Sequence, residues 1–388
     1  MASSHTARAY LDYNATAPLR PEARAAAIAA MDHLGNPSSI HAEGRGARAI
    51  VEDARRAVAE LVGVAPRGVL FTSGGTEAAN LALTPAIAPG REVAGLIVGA
   101  GEHPCVLKGH RFANEAASIV PLEADGRVDL AALAALIDAA EGPVMLTLQG
   151  ANNETGVLQP VAEAAALVHA KGGLVVCDAV QMAGRADLSP AALGADYFIL
   201  SAHKFGGPKG AGALVGARGD LSIASPLVRG GGQERGGRAG TENVAAIAGF
   251  GAAARVAGAE RSAESVRLAA LRDSLAAAVL ESAPDATIFG ASAPRLANTL
   301  CFATPGVAAA TLVIALDLAG VAVSAGSACS SGKVARSHVL EAMGVAPDLA
   351  GGAIRLSLGW ASSEADVARF AEAFRGAIAN LRRRRGAA

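Results

Sequence analysis

The chain has 388 residues, of which 52% are hydrophobic and 18% charged, and its formal net charge is −1. That length can bury one large core or two domains, and a charge so near zero excludes the broad basic surface of a nucleic-acid binder. No apolar run reaches the roughly 18 residues of a membrane span. The first ten residues also lack the apolar core of a secretory signal, so a cytoplasmic protein with no membrane partner is expected.

Residues 10–18 read as a short extended lead-in. Pro21 then opens a helix with Ile28, Met31 and Leu34 on one face and Gly35 as its stop. A second helix is expected from about Gly46 to Leu61, ended by Gly63. From there the pattern repeats as strand, turn, helix. Apolar strands are expected at 69–72, 96–98, 119–120, 144–148, 174–177 and 197–200, with a hairpin partner at 213–215. Asp129 caps one intervening helix and Pro160 opens another. Continuous apolar strands alternating with helices predict an α/β fold, its mostly parallel sheet covered on both faces. Ligands of such sheets sit outside the carboxyl ends of the strands, where the polar residues of this chain cluster.

Residues 229–241 are too rich in glycine and polar groups for an element interior and read as a long loop. A helical region over 244–282, broken near Gly258, marks the expected division. A large domain covers 16–258, and a smaller α+β domain comprises 1–15 and 259–388. Strands of the smaller unit are expected at 298–302, 321–324 and 354–358. Arg382–Arg385 read as a solvated helix end, where cations suit the helix dipole.

Several residues at the strand exits carry chemistry. Lys204, in Ser201-Ala202-His203-Lys204, is either a Schiff-base lysine for an aldehyde such as pyridoxal phosphate or a solvated lysine in a Gly/Pro turn. Ser73-Gly74-Gly75-Thr76 leads from a strand into a helix and can cradle a phosphate, although such turns are common. Asp178 can pair with a pyridinium nitrogen or serve as a helix cap, and Gln181 can donate to a ring phenolate. His103 can stack on a ring and move protons. His33, His41, His110, His169 and His338 read as structural or surface residues. The four cysteines, Cys105, Cys177, Cys301 and Cys329, form no CxxC pair, and no metal site is expected.

Taken in order, the phosphate turn at 73–76, His103, Asn152-Asn153-Glu154, Asp178-x-x-Gln181 and Ser201-x-His203-Lys204 resemble the fold-type I pyridoxal-phosphate enzymes of the class-V aminotransferase group. Three further stretches narrow the resemblance to cysteine desulfurases of the NifS/IscS kind: residues 11–16, residues 230–235, and Gly326-Ser327-Ala328-Cys329 with the later Arg355-Leu356-Ser357. The resemblance implies a large domain with a mostly parallel seven-stranded sheet and a smaller domain carrying a long, mobile cysteine loop. It implies that Lys204 holds pyridoxal 5′-phosphate, Asp178 binds the ring nitrogen, His103 stacks on the ring and Gln181 contacts its phenolic oxygen. Gly75, Thr76, Ser201 and His203 would bind the phosphate, with Thr241 supplied by the neighbouring subunit of a homodimer. Asn153 and Arg355 would hold the substrate carboxylate.

The implied reaction converts L-cysteine to L-alanine, with Lys204 moving the α-proton and Cys329 taking the sulfur as a persulfide. An acceptor such as an iron–sulfur scaffold protein would receive that sulfur. A selenocysteine lyase or a transaminase of the same fold remains open, as does a non-catalytic sulfur-relay scaffold. Intact Lys204, Asp178 and His103 speak against the last, because a scaffold has no physical need for all three.

Overall fold

The computed structural model of the chain describes residues 8–326 and 336–386. Its strands, in chain order, are β1 (Ala9–Tyr10), β2 (Val69–Thr72), β3 (Gly95–Gly99), β4 (Ala117–Val120), β5 (Val144–Gln149), β6 (Leu174–Asp178), β7 (Tyr197–Ser201), β8 (Gly212–Gly216), β9 (Thr287–Ile288), β10 (Thr299–Ala303), β11 (Val321–Ala322), β12 (Ser324–Ala325) and β13 (Ala353–Ser357). Seven of them form one sheet in the order β2-β8-β7-β6-β5-β3-β4. Strand β8 runs antiparallel to both its neighbours, while the pairs from β7 to β4 are parallel. Every residue of β5, β6 and β7 is buried, which is why these strands read as unbroken apolar runs. The strand order reverses between β3 and β5, and a crevice opens at such a reversal.

Two cores lie on the faces of this sheet. One gathers Val51, Val58, Phe71, Leu146, Phe198 and Phe250, and the other Leu70, Leu81, Leu96, Met145 and Ile199. A separate core joins Leu11 with Leu268, Leu275, Phe302, Leu356 and Phe370, around a four-stranded sheet ordered β12-β13-β10-β9. The helix Val244–Ser282 contributes to both regions, with Phe250 in the first and Leu275 in the last.

That helix is continuous, so the expected break near Gly258 does not occur. Its glycines serve close packing. A Cβ at Gly251 would stand 2.5 Å from Ala54 Cα, and one at Gly258 would stand 3.4 Å from Leu61 Cδ1. Both neighbours belong to the helix Ala42–Val62, which starts earlier than the pattern indicated because His41 caps it by accepting from Gly44 N–H. The expected strand at 321–324 is instead two short strands serving different sheets, β11 beside β1 and β12 beside β13. The face of Ile28, Met31 and Leu34 points outward, at 48%, 72% and 81% exposure, and Ala23 and Ala30 bury the helix Pro21–Met31 instead. No helix among the described residues is long and apolar enough to cross a membrane.

The 229–241 segment is not a simple loop. Glu234, at φ 45°, is buried and accepts from Arg55 Nη1 and Nη2 at 2.8 and 2.7 Å and from Phe71 N–H at 3.0 Å. Arg55 also lies over the Phe71 ring and donates to Val69 O. Removing one partner of a buried pair strands the other charge, so Glu234→Ala is expected to lower unfolding stability by about 3–5 kcal/mol. Denaturant unfolding followed by circular dichroism measures this, and a midpoint equal to the parent's would contradict it.

Candidate active site

Turns at the carboxyl ends of the strands line a cavity of about 560 Å³. It contains Gly75, Thr76, His103, Asn153, Asp178, Gln181, Ser201, His203, Lys204 and Arg355, which places ten sequence-selected residues on one surface. Thr241 stands outside it. This exposed residue lines an adjacent recess of about 190 Å³ that shares Ser73 and Gly210 with the cavity. Cys329 lies outside the described residues.

Each side chain is positioned by local structure. Asp178 is the last residue of β6, 8% exposed, and its Oδ1 accepts from Val180 N–H at 3.0 Å. Burial pushes its carboxyl up to about 6, against the pull of that N–H and of Lys204. A cationic group in the cavity would stabilise the carboxylate further. Lys204 follows β7 in a short 3₁₀ turn, and its Nζ donates to Asn14 O at 2.7 Å and Ala15 O at 3.0 Å. His203 Nδ1 lies 3.2 Å from Thr16 Oγ1. Burial, then Lys204 and Lys209, push His203 down to about 4.

His103 caps the short helix Pro104–Leu107, its Nδ1 accepting from Cys105 N–H at 3.2 Å and standing 3.0 Å from Cys105 Sγ. Burial, then the charges of Lys204 and His338, push it down to about 4, so the ring is neutral near pH 7. With Nδ1 accepting, the ring proton belongs on Nε2. His338, set aside in the sequence as structural, reaches the carbonyl of Glu102 at 2.9 Å and so stands beside this site.

The 73–76 turn is packed closely against its neighbours. Gly75 opens the helix Gly75–Ala82, and a Cβ there would stand 3.2 Å from Val180 Cγ2 and 3.4 Å from Ser201 Cβ. A Cβ on Gly212 would stand 2.5 Å from the Gly74 carbonyl carbon. A side chain at Gly212 would therefore collide with backbone, and one at Gly75 would need Val180 to give way. Glu77 accepts from Ser73 N–H at 2.8 Å and pairs with Arg238 at 3.0 Å, which fastens the 229–241 segment to the turn.

Arg355, on β13, is 3% exposed and donates to Asp12 Oδ1 at 2.7 Å and Asn153 O at 2.9 Å. Its Nε is buried without a hydrogen-bond partner. Asp12 and Asn14 carry such contacts within the 11–16 stretch, yet their part in the site was not legible from residue type. Asn152 Oδ1 accepts from Glu154 N–H and Thr155 N–H at 2.8 and 2.9 Å, and this turn sets Asn153 at the cavity. Glu154, buried and pushed up to about 7, accepts from Ser337 Oγ. No cluster able to hold a metal occurs among the described residues.

A buried carboxylate, a lysine, a neutral histidine and a glycine turn at neighbouring strand exits define an α/β enzyme of the kind that holds a phosphorylated aldehyde cofactor. Residues 9–370 match the family described as aminotransferase class-V, and the chain belongs to it. Within that family it is 41% identical to a cysteine desulfurase of Cereibacter sphaeroides, over 97% of each chain. It is 39% identical to an IscS-like cysteine desulfurase of Mycobacterium tuberculosis, again over 97% of each. The solved NifS-like protein of Rickettsia africae superposes with a TM-score of 0.85 at 33% identity, covering 95% of this chain and 99% of that one. A structure described as SspA in complex with cysteine superposes with a TM-score of 0.75 at 26% identity, covering 90% and 98%.

Proposed function

We propose that this protein is a pyridoxal-phosphate-dependent L-cysteine desulfurase. The observation that carries the reading is Lys204 and Asp178, on the adjacent strands β7 and β6, lining one cavity with His103 and the 73–76 turn. Lys204 would hold the cofactor through its amine, Asp178 its ring nitrogen, and Gly75, Thr76, Ser201 and His203 its phosphate. When bound, that cofactor supplies a ring that withdraws electrons from the substrate α-carbon. Arg355 and Asn153 bind and orient the carboxylate of L-cysteine, with the buried guanidinium as the anion partner. Lys204 Nζ takes the α-proton, and the Asn14 and Ala15 carbonyls stabilise the resulting ammonium. The Cys329 thiolate attacks the substrate sulfur, and the substrate C–S bond breaks. The atoms balance as one thiol and one L-cysteine giving one persulfide and one L-alanine.

The test is incubation with L-cysteine, with and without a thiol reductant. Alone, alanine should form in about one equivalent per chain, matched by one persulfide. With reductant, alanine and sulfide should accumulate together over many turnovers. Pyruvate or a keto acid in place of alanine would overturn the reading. A persulfide-accepting protein, such as an iron–sulfur scaffold in the cytoplasm, completes the proposed cycle.

The proposed assembly is a homodimer with shared sites. Exposed Met31, Leu34 and Ile40 leave apolar surface that a second copy can cover, and Thr241 sits beside the cavity of its own chain without lining it. Mixing Thr241→Ala chains with Lys204→Ala chains should restore activity, because one site of each heterodimer then carries neither lesion. Heterodimers that form and stay inactive would contradict sharing.

A further inference from the structure

We infer that Arg185 is a positioning residue that fixes which end of the Gln181 amide faces the cavity and ties that amide to Lys204. The inference rests on the cavity being a pyridoxal-phosphate site. Arg185 Nη1 donates to Gln181 Oε1 at 2.5 Å and to Gln181 O at 3.2 Å, and its Nη2 donates to Lys204 O at 2.8 Å. Gln181 is 4% exposed and lines the cavity. Its Nε2 donates to Asn14 O at 3.1 Å, the same carbonyl that accepts from Lys204 Nζ at 2.7 Å. One chain of bonds therefore runs from Arg185 through the Gln181 amide to the Asn14 carbonyl, and Arg185 closes it by gripping the lysine's own backbone.

The physics of the chain is directional. A guanidinium has only donors, so the amide oxygen must face it and the amide nitrogen must face away. Of the two hydrogens on that nitrogen, Asn14 takes one, and the other is left for an acceptor in the cavity, such as the phenolic oxygen of the cofactor ring. Arg185 and the Asn14 carbonyl thus hold the amide from its two ends, and without Arg185 only the Asn14 contact opposes a turn that sets oxygen against oxygen. Among the described residues no carboxylate lies within ion-pair distance of Arg185. Burial and the charge of Arg355 push Arg185 down to about 10, which leaves it cationic near neutral pH. Its position beneath Lys204 and Gln181 thus carries positive charge as well as orientation. The other charged and titratable groups lining the cavity with the amine are Asp178, Glu77, His103, Cys105, His203, Lys209 and Arg355, and none of them is substituted in the variants below.

The experiment is a double-mutant cycle on the holoenzyme, read from the pH midpoint at which the bound cofactor's visible absorbance titrates. A donor to the ring oxygen and a nearby cation both favour the deprotonated form, so losing either raises the midpoint. Arg185→Met should raise it by about one unit, with kcat falling about tenfold and KM for L-cysteine little changed. In a Gln181→Leu background the same substitution should move the midpoint clearly less, because Arg185 acts through the amide. Arg185→Lys, which keeps a cationic donor, should recover most of the parent value. Gln181→Glu keeps a partner for Arg185 and removes the donor, so it should raise the midpoint even if Arg185→Met fails to fold. Equal shifts in both backgrounds, a lowered melting temperature with an unmoved midpoint, or an unmoved midpoint in Gln181→Glu would each overturn the inference. A parent protein that binds no pyridoxal phosphate would overturn the cofactor reading, and this inference with it.

Discussion

Lys204→Ala is expected to give a folded protein in which borohydride reduction attaches no cofactor mass to the peptide containing residue 204. Alanine formation from L-cysteine should fall by about 10²–10⁴-fold from loss of the base alone. The expectation rests on where the amine sits. Lys204 leaves the end of β7 beside Asp178 at the end of β6, and two backbone carbonyls hold its Nζ at 2.7 and 3.0 Å. Those carbonyls suit an amine that alternates between bonding a ligand and holding a proton. They also limit its reach, so the reacting carbon must come to the lysine. Lys209 offers the decisive comparison, since it lines the same cavity but is exposed at a Gly/Pro turn. If the reduced adduct in the parent lies on Lys209, or if Lys204→Ala turns over at the parent rate, the assignment is wrong. A small primary amine added to the variant should restore part of the proton transfer, which separates loss of the base from loss of fold.

The large sheet was readable because its strands are buried on both faces and stand as separate apolar runs between turns. The site followed from it, since Asp178, Lys204, His103 and Asn153 each lie just past such a run, and parallel strands bring their exits together. What stayed hidden depends on distant partners. Glu234 reads as one more polar residue in a glycine-rich loop, and only the fold brings Arg55 to it from 179 positions away. Arg185 carries no motif of its own, and its place appears only when Gln181 and the Lys204 carbonyl are set on either side of it. Glycine misled in the helix Val244–Ser282 because low helix propensity looks the same whether it marks a break or a close approach. The face of Ile28, Met31 and Leu34 misled differently. Its period is that of a helix, but in a single chain it covers no core. The split of 321–324 was invisible because its two halves bond to β1 and β13, strands far away in the chain.

Cys329→Ser is expected to bind L-cysteine and to form neither persulfide nor sulfide, whereas Cys105→Ser, Cys177→Ser and Cys301→Ser keep most activity. The argument runs through the three described cysteines. Cys177 and Cys301 are fully buried, and burial pushes both thiols up, with Asp178 adding to the effect at Cys177 and Glu154 at Cys301. Cys105 is the serious rival, because it lines the cavity and its sulfur stands 3.0 Å from His103 Nδ1. Burial, then the charges of Asp178 and Glu102, push its thiol up to about 12. At pH 7 a thiol of that kind is ionised to roughly one part in 10⁵, whereas an ordinary cysteine near 8.5 is ionised to a few per cent. The difference of about 10³ in thiolate outweighs the advantage of standing inside the cavity. His103 does not reverse it, since the imidazole is itself pushed down to about 4 and is a weak base for the thiol proton. Cys105 then serves as a small residue whose backbone N–H fixes the His103 ring through a 3.2 Å bond, a task serine can do equally well. Trapping the persulfide with an alkylating reagent during turnover and mapping the labelled peptide decides between the two. The mass of one added sulfur should fall on Cys329. Sulfur on Cys105, or parent-rate sulfide release by Cys329→Ser, would move the nucleophile to the cavity wall and require a different route for sulfur out of the site.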